Sequence, residues 1–211
     1  PLFAQIQEDN LRLKNVYKKI MQLVIYLVAP TLIFMAVLAE PLFRFLFTEK
    51  WMPAVPYFQI LCINGILYPI HSYNLQILTV KGRSDLFLKL EIIKKIITVI
   101  ALVVSFQFGI FGLLYGSVIT SIICFFINTH YSGKFLNYSS WEQMKDLLPI
   151  VVLSFLIGGV MFIFDMFLLL KLNDFLRLVI GSTIGILLYL ILSFIFKMSS
   201  FTELKNLVLK K

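Results

Sequence analysis

Apolar residues run almost without interruption through six stretches of the chain, at residues 20–39, 57–80, 86–106, 110–127, 147–164 and 175–196. Each stretch, at ~1.5 Å of helix rise per residue, gives roughly 27–36 Å of helix, enough to cross about 30 Å of hydrocarbon. The pattern predicts an all-α, polytopic transmembrane helix bundle of about six spans. The longest connections fall at residues 128–146 and 40–56. The second of these, "EPLFRFLFTEKWMPAVP", is aromatic-rich and then proline-rich. It reads as an interfacial turn with Trp51 at the level of the headgroups.

Within the second stretch the hydrophobic pattern is broken. It carries Gln59, Asn64, His71, Ser72, Asn74, Gln76 and Thr79, and polar groups in hydrocarbon are costly unless they face protein or water. Stepped at about 100° per residue, Tyr57, Asn64, Tyr68, His71, Ser72 and Thr79 fall in one stripe, and Ile63, Ile66, Ile70, Tyr73 and Ile77 in the opposite one. Gln59, Asn74 and Gln76 do not fit the stripe; Pro69, which frees a backbone bond and favours a kink, accounts for part of this. The stripe should face a bundle interior or a wet cavity. Two readings stay open: Asn64 and His71 bond to neighbouring helices, or with Tyr68 they line a route for a polar substrate.

Composition agrees with the spans. The 211 residues are 60% hydrophobic and 14% charged, whereas a soluble domain has about a quarter of its residues charged. The formal charge of +8 could suggest nucleic acid, but its distribution does not. With six spans alternating across the bilayer, 15 of the 19 Lys and Arg residues fall on one side, and only Arg44, Lys50, Lys171 and Arg177 on the other. Positive charge collects on the cytoplasmic side. The expectation is a multi-pass membrane protein with both termini cytoplasmic, binding membrane lipid and no nucleic acid. On that side the sequon Asn137-Tyr138-Ser139 has no meaning. Cys62 and Cys124 both lie in spans, so no disulfide framework is expected.

The fourth stretch places Gly116, Ser117, Thr120, Ser121 and Cys124 on one face; the fifth has Ser154 and Gly158, and the sixth Gly181 and Gly185. Small faces let helices approach closely. The third stretch opens "SDLFLKLEIIKK". Ser84 or Asp85 is expected to cap its helix, and Glu91 to pair with Lys94 or, in the better order, Lys95. Lys94 and Lys95 either reach back to the headgroups or form a cationic mouth for a phosphate-bearing lipid.

No nucleotide-binding loop, C-x-x-C or H-E-x-x-H occurs, and His71 and His130 are far apart. No nucleophile, base and orienter assemble from the pattern, so neither enzyme activity nor a metal or cofactor is expected. A polytopic bundle with one polar-lined helix points to a carrier.

The segment "AEPLFRFLFTEKWMPAVPYFQILCINGILYPIHSYNLQILTVKGRSDLFLKLEIIKK", with "NVYKKI" before it, resembles the polysaccharide-biosynthesis flippases, the O-antigen and related lipid-linked oligosaccharide translocases of the multidrug/oligosaccharidyl-lipid/polysaccharide exporter superfamily. The resemblance weakens after about residue 150. It implies a two-lobed exporter of about twelve to fourteen helices that moves a polyprenyl diphosphate-linked oligosaccharide by alternating access. The chain, which opens at Pro1 inside the pattern, would be the C-terminal portion, with an N-terminal lobe missing. Asn64, Tyr68, His71, Lys94 and Lys95 are the candidate substrate-binding residues. The alternatives are a drug/cation antiporter of the same superfamily, which would be expected to show acids within the spans, and a structural membrane subunit. A membrane glycosyltransferase or polymerase would need larger loops than these.

Overall fold

The computed structural model describes residue 3 and residues 6–209. Among them are eight α-helices and no strand: α1 (Asn10–Val37), α2 (Ala39–Phe47), α3 (Val55–Val80), α4 (Ser84–Phe106), α5 (Gly109–Leu136), α6 (Ser140–Phe164), α7 (Asp174–Ile195) and α8 (Ser199–Leu209). A 3₁₀ stretch, Glu49–Ala54, precedes α3, and a π-helical turn, Asp165–Leu169, follows α6. The fold is an all-α polytopic bundle, as the periodicity predicts.

Among the described residues, five helical stretches are long and apolar enough to cross a membrane: Asn10–Val37, Glu49–Val80, Gly109–Leu136, Ser140–Leu169 and Asp174–Ile195. The predicted third span falls on α4, whose first half carries Asp85, Lys89, Glu91, Lys94 and Lys95. That charge density separates it from the other five.

Local chemistry sets the helix ends. The Asp9 carboxylate accepts the Arg12 backbone N–H at 2.9 Å and starts α1. Gly82, at φ +69°, closes α3, with Arg83 N donating to the Leu78 carbonyl at 2.8 Å; a left-handed residue in this place is the usual way a helix satisfies its last carbonyls. Ser139 and Glu142 form a reciprocal capping box: Glu142 N donates to Ser139 Oγ at 3.2 Å and Ser139 N to Glu142 Oε2 at 2.8 Å. Asn173 Oδ1 accepts Leu176 N at 2.9 Å and starts α7.

Two expectations need correction. The stretch 128–146 is not a loop: α5 runs to Leu136 and α6 begins at Ser140, so only Asn137–Ser139 separates them. Its polar residues other than Asn137–Ser139 are helical side chains. Neither Ser84 nor Asp85 caps α4; the residue before the helix is Arg83, with no side-chain cap. Asp85 instead takes both guanidinium bonds of Arg83, at 2.9 and 2.8 Å, and these hold its carboxyl down to about 2. Of the two pairings that the spacing left open for Glu91, the structure shows the one with Lys94.

The chain divides into two compact units, Pro1–Gln22 with Asn64–Leu147, and Leu23–Ile63 with Leu148–Lys211. In the first, Leu13, Tyr17, Ile77, Leu78, Leu90 and Leu136 are fully buried. Its polar edge is tied at Asp146, which accepts Lys18 Nζ at 2.8 Å and Tyr138 Oη at 2.5 Å. Burial, and then this carboxylate, push the Tyr138 phenol far above its ordinary range.

In the second unit Tyr26 and Tyr189 stack with centroids 4.9 Å apart, and Tyr189 Oη donates to the Tyr26 carbonyl at 3.1 Å. The predicted small faces are close contacts here. A Cβ on Gly158 would lie 2.5 Å from Ile33 Cγ2, one on Gly181 3.0 Å from Leu38 Cδ2, and one on Gly185 against Met161 Sδ.

Candidate functional site

A cavity of about 920 Å³ lies among α3, α4 and α5, wholly within the first unit. Each helix contributes one stripe at helical spacing. From α3 come Asn64, Tyr68, His71, Ser72 and Leu75; from α4, Glu91, Lys94, Lys95, Thr98, Ala101, Leu102 and Ser105; from α5, Leu113, Gly116, Ser117, Thr120, Ser121 and Cys124. The structure thus brings Asn64, Tyr68, His71, Lys94 and Lys95 into one lining, although 31 positions separate the first from the last. Tyr57 and Thr79, placed on the same stripe by angle, are not in it.

The polar face of α3 meets the small-residue face of α5 rung by rung. Asn64 Nδ2 donates to Ser117 Oγ at 3.4 Å. His71 uses both ring nitrogens, Nε2 with Ser121 Oγ at 2.9 Å and Nδ1 with Asn128 Nδ2 at 3.2 Å. Ser132 Oγ donates to Asn74 Oδ1, whose amide donates back to the Ile70 carbonyl at 2.8 Å. The two open readings of the stripe therefore coexist: Asn64 and His71 spend atoms on α5 and still border the cavity. Asn64 Oδ1 and Asn128 Oδ1 are buried with no hydrogen-bond partner among the described residues.

The residues that broke the stripe have separate explanations. Asn74 is buried against α5, Gln59 donates to the Ala36 carbonyl at 3.0 Å, and Gln76 is exposed. Pro69 sits inside α3 without ending it.

Charge enters the cavity from α4. Glu91 Oε1 contacts Lys94 Nζ, and the Lys94 side chain is only 14% exposed. Lys95 is exposed and has no ion-pair partner among the described residues. Two lysines and one carboxylate leave the lining with a net positive charge.

Sequence reasoning missed Asn128, because the fourth span was ended at residue 127. The signal was present: Asn128 follows Ser121 by seven residues, two helical turns along the same face. Ser117 and Ser121 were read only as packing residues, and they also line the cavity.

Geometry and pattern together define a multi-pass α-helical membrane protein with a polar, cationic cavity between three of its helices. Comparison with known proteins narrows this class. A family model described as "Polysaccharide biosynthesis protein" matches residues 1–56. The chain is 28% identical over 170 residues to the lipopolysaccharide biosynthesis protein WzxC of Escherichia coli (strain K12), covering 76% of this chain and 35% of that protein. It is 29% identical over 136 residues to an uncharacterized membrane protein in the cps region of Klebsiella pneumoniae, covering 64% and 27%. It is 30% identical over 86 residues to the teichuronic acid biosynthesis protein TuaB of Bacillus subtilis (strain 168), covering 41% and 18%. Over these stretches the chain is similar to proteins of polysaccharide biosynthesis. It spans about a third or less of the length of these relatives. No solved structure matches it significantly.

Proposed function

We propose that this protein carries a lipid-linked oligosaccharide, borne on a polyprenyl diphosphate, across the bacterial inner membrane for surface-polysaccharide biosynthesis. One observation supports this above the others: Lys94 and Lys95 join Asn64, Tyr68 and His71 around one cavity, in a chain with five stretches apolar enough to cross a membrane. The polyprenyl tail can stay in hydrocarbon throughout. The diphosphate and sugars cannot, because stripping their hydration without replacement is costly. A wet, hydrogen-bonding wall with cations at hand supplies that replacement. The relatives' names, in lipopolysaccharide and teichuronic acid biosynthesis, support the same substrate class.

In this reading α4 crosses the membrane with the five more apolar stretches, both chain ends lie in the cytoplasm, and a further lobe of the same protein faces the cavity. The two lobes rock about the substrate to expose it to each leaflet in turn. The protein is a carrier and not an enzyme. A drug/cation antiporter is less well supported, because such a protein needs a carboxylate free to take a cation, and Glu91, the acid in this lining, is held by Lys94.

The test is export. Replacing both Lys94 and Lys95 by Gln in the protein expressed in its own membrane should abolish surface polysaccharide and leave the lipid-linked oligosaccharide in the inner leaflet, at unchanged protein abundance. Normal export by this double variant would overturn the assignment.

A further inference from the structure

A cavity built to attract a diphosphate inside a membrane faces a competitor problem. Bacterial bilayers contain abundant lipids whose phosphodiester headgroups carry one negative charge, and basic clusters near a membrane surface attract them. Two lysines bordering one cavity would hold such a headgroup for most of the time. Specificity then requires something that penalises the wrong ligand as well as something that attracts the right one.

Glu91 is placed to supply that penalty. It is the sole carboxylate in the lining, and it sits on Lys94, the less exposed of the two lysines. The titratable groups that share the cavity with it are Lys94 and Lys95 on its own helix, Tyr68 and His71 on α3, and Cys124 on α5. None of these is a second acid. A singly charged phosphodiester that engages Lys94 must displace the Glu91 carboxylate. It trades one anion for another and leaves Glu91 unpaired beside a new negative charge. A diphosphate carries at least one charge more and has oxygens on two phosphorus atoms. It can engage Lys94 and Lys95 together and gain a charge-assisted hydrogen bond beyond the one it breaks.

We propose that Glu91 is a specificity-determining residue: an internal competitor for Lys94 that a lipid diphosphate displaces and an ordinary anionic phospholipid does not. This rests on the reading of the cavity as the headgroup site, and the two can fail separately.

The experiment measures binding of farnesyl diphosphate to the purified protein in nanodiscs, with phosphatidylcholine alone and with phosphatidylglycerol raised to half of the lipid. Wild type should lose less than about two-fold in affinity as phosphatidylglycerol is added, and Glu91→Gln about ten-fold, the ratio expected when one favourable charge contact opens to a competitor. Inorganic diphosphate, run in parallel, should compete weakly if the site takes a lipid-anchored headgroup; competition equal to that of farnesyl diphosphate would assign the site to the free anion and overturn the lipid form of the proposal. Equal phosphatidylglycerol sensitivity in wild type and Glu91→Gln would overturn it outright. If neither Glu91→Gln nor Glu91→Ala binds farnesyl diphosphate in phosphatidylcholine, Glu91 serves to position Lys94 and the proposal is likewise overturned. Undiminished binding by the Lys94→Gln/Lys95→Gln double variant would instead remove the headgroup site itself.

Discussion

Asn128 donates its side-chain amide to Nδ1 of His71 at 3.2 Å. A nitrogen that accepts carries no proton in a neutral imidazole, so the ring proton belongs on Nε2. There it points at Ser121 Oγ, 2.9 Å away. One amide thus sets the tautomer of a histidine on the opposite helix, and the histidine in turn borders the cavity.

This arrangement is measurable. Nitrogen-15 NMR of His71 should show an unprotonated Nδ1 and a protonated Nε2. Asn128→Leu should let the two tautomers mix. In a double-mutant cycle, His71→Leu and Asn128→Leu should couple by about 0.6 kcal/mol, the average for interhelical hydrogen bonds in membranes. Strict additivity in the unfolding free energies would mean that the contact contributes nothing.

The second unit holds a stronger polar contact. Arg177 Nε and Nη2 donate to the two Asp165 oxygens at 3.0 and 2.6 Å, and the side chains are 4% and 12% exposed. Arg177 and Arg44 each also approach Asp174 Oδ1 to 3.5 Å. Removing one member of a buried pair strands the other, at about 3–5 kcal/mol. Asp165→Asn should therefore unfold much more readily in detergent. Replacing both Asp165 and Arg177 by Leu should recover much of that loss. A double variant no better than Asp165→Asn would show that the wider network with Arg44 and Asp174 carries the stability.

The contrast between these two sites shows what the sequence could and could not reveal. Helices and the faces of α3 and α5 follow from local periodicity, so the cavity-lining residues Asn64, Tyr68 and His71 were legible. Lys94 and Lys95 were legible as charges in an apolar run. Asn128 was lost because hydropathy ends a span where polar residues begin, although the backbone hydrogen-bond ladder continues to Leu136. The Asp165–Arg177 pair was not legible, because the charge pattern gives Arg177 only as a basic residue on the sparsely charged side. Asp165 opens the π-helical turn after α6, and hydrophobic pattern does not encode such a turn. The choice of Lys94 over Lys95 by Glu91 is similar, since both spacings are sterically open.

Adjacent glycines in α6 provide an internal control for close packing. A Cβ on Gly158 would lie 2.5 Å from Ile33 Cγ2, whereas one on Gly159 meets nothing within 4 Å. Gly158→Ala should destabilise by about 1–3 kcal/mol through overpacking. Gly159→Ala should be tolerated, or stabilising by a few tenths of a kcal/mol, through its better helix propensity. Thermal unfolding in detergent separates the two, and equal effects would remove the packing argument.

The proposed topology counts α4 as a sixth span and rests on the asymmetry of 15 and 4 basic residues across the bilayer. Reporter fusions near residue 136 and at the C-terminus should read cytoplasmic, and fusions near residues 49 and 172 periplasmic. The test bears most on α4, whose charges set it apart from the other spans. If α4 stayed on the cytoplasmic face, the residue 136 reporter would reverse.

Accessibility distinguishes the cavity from plain packing most directly. Tyr68 is 74% exposed and lines the cavity, whereas Ile66 and Ile70, on the opposite side of α3, are 4% and 3% exposed. Ile63 is 43% exposed but lies outside the lining, on a face suited to hydrocarbon. The two native cysteines are buried, and replacing both by Ala clears the background. Single cysteines at 68, 64 and 71 should then react with a water-soluble thiol reagent, position 68 fastest. Those at 66 and 70 should stay silent, and that at 63 should react only with a membrane-permeant reagent. Substrate lipid should slow labelling at 68 if Tyr68 borders its route. Labelling at 64 and 71 should be slower than at 68, because these positions face Ser117, Ser121 and Asn128 on α5. Protection of 64, 68 and 71 with and without substrate would leave the α3 stripe a packing surface for α5, and the hydrogen bonds of His71 would then be its whole role.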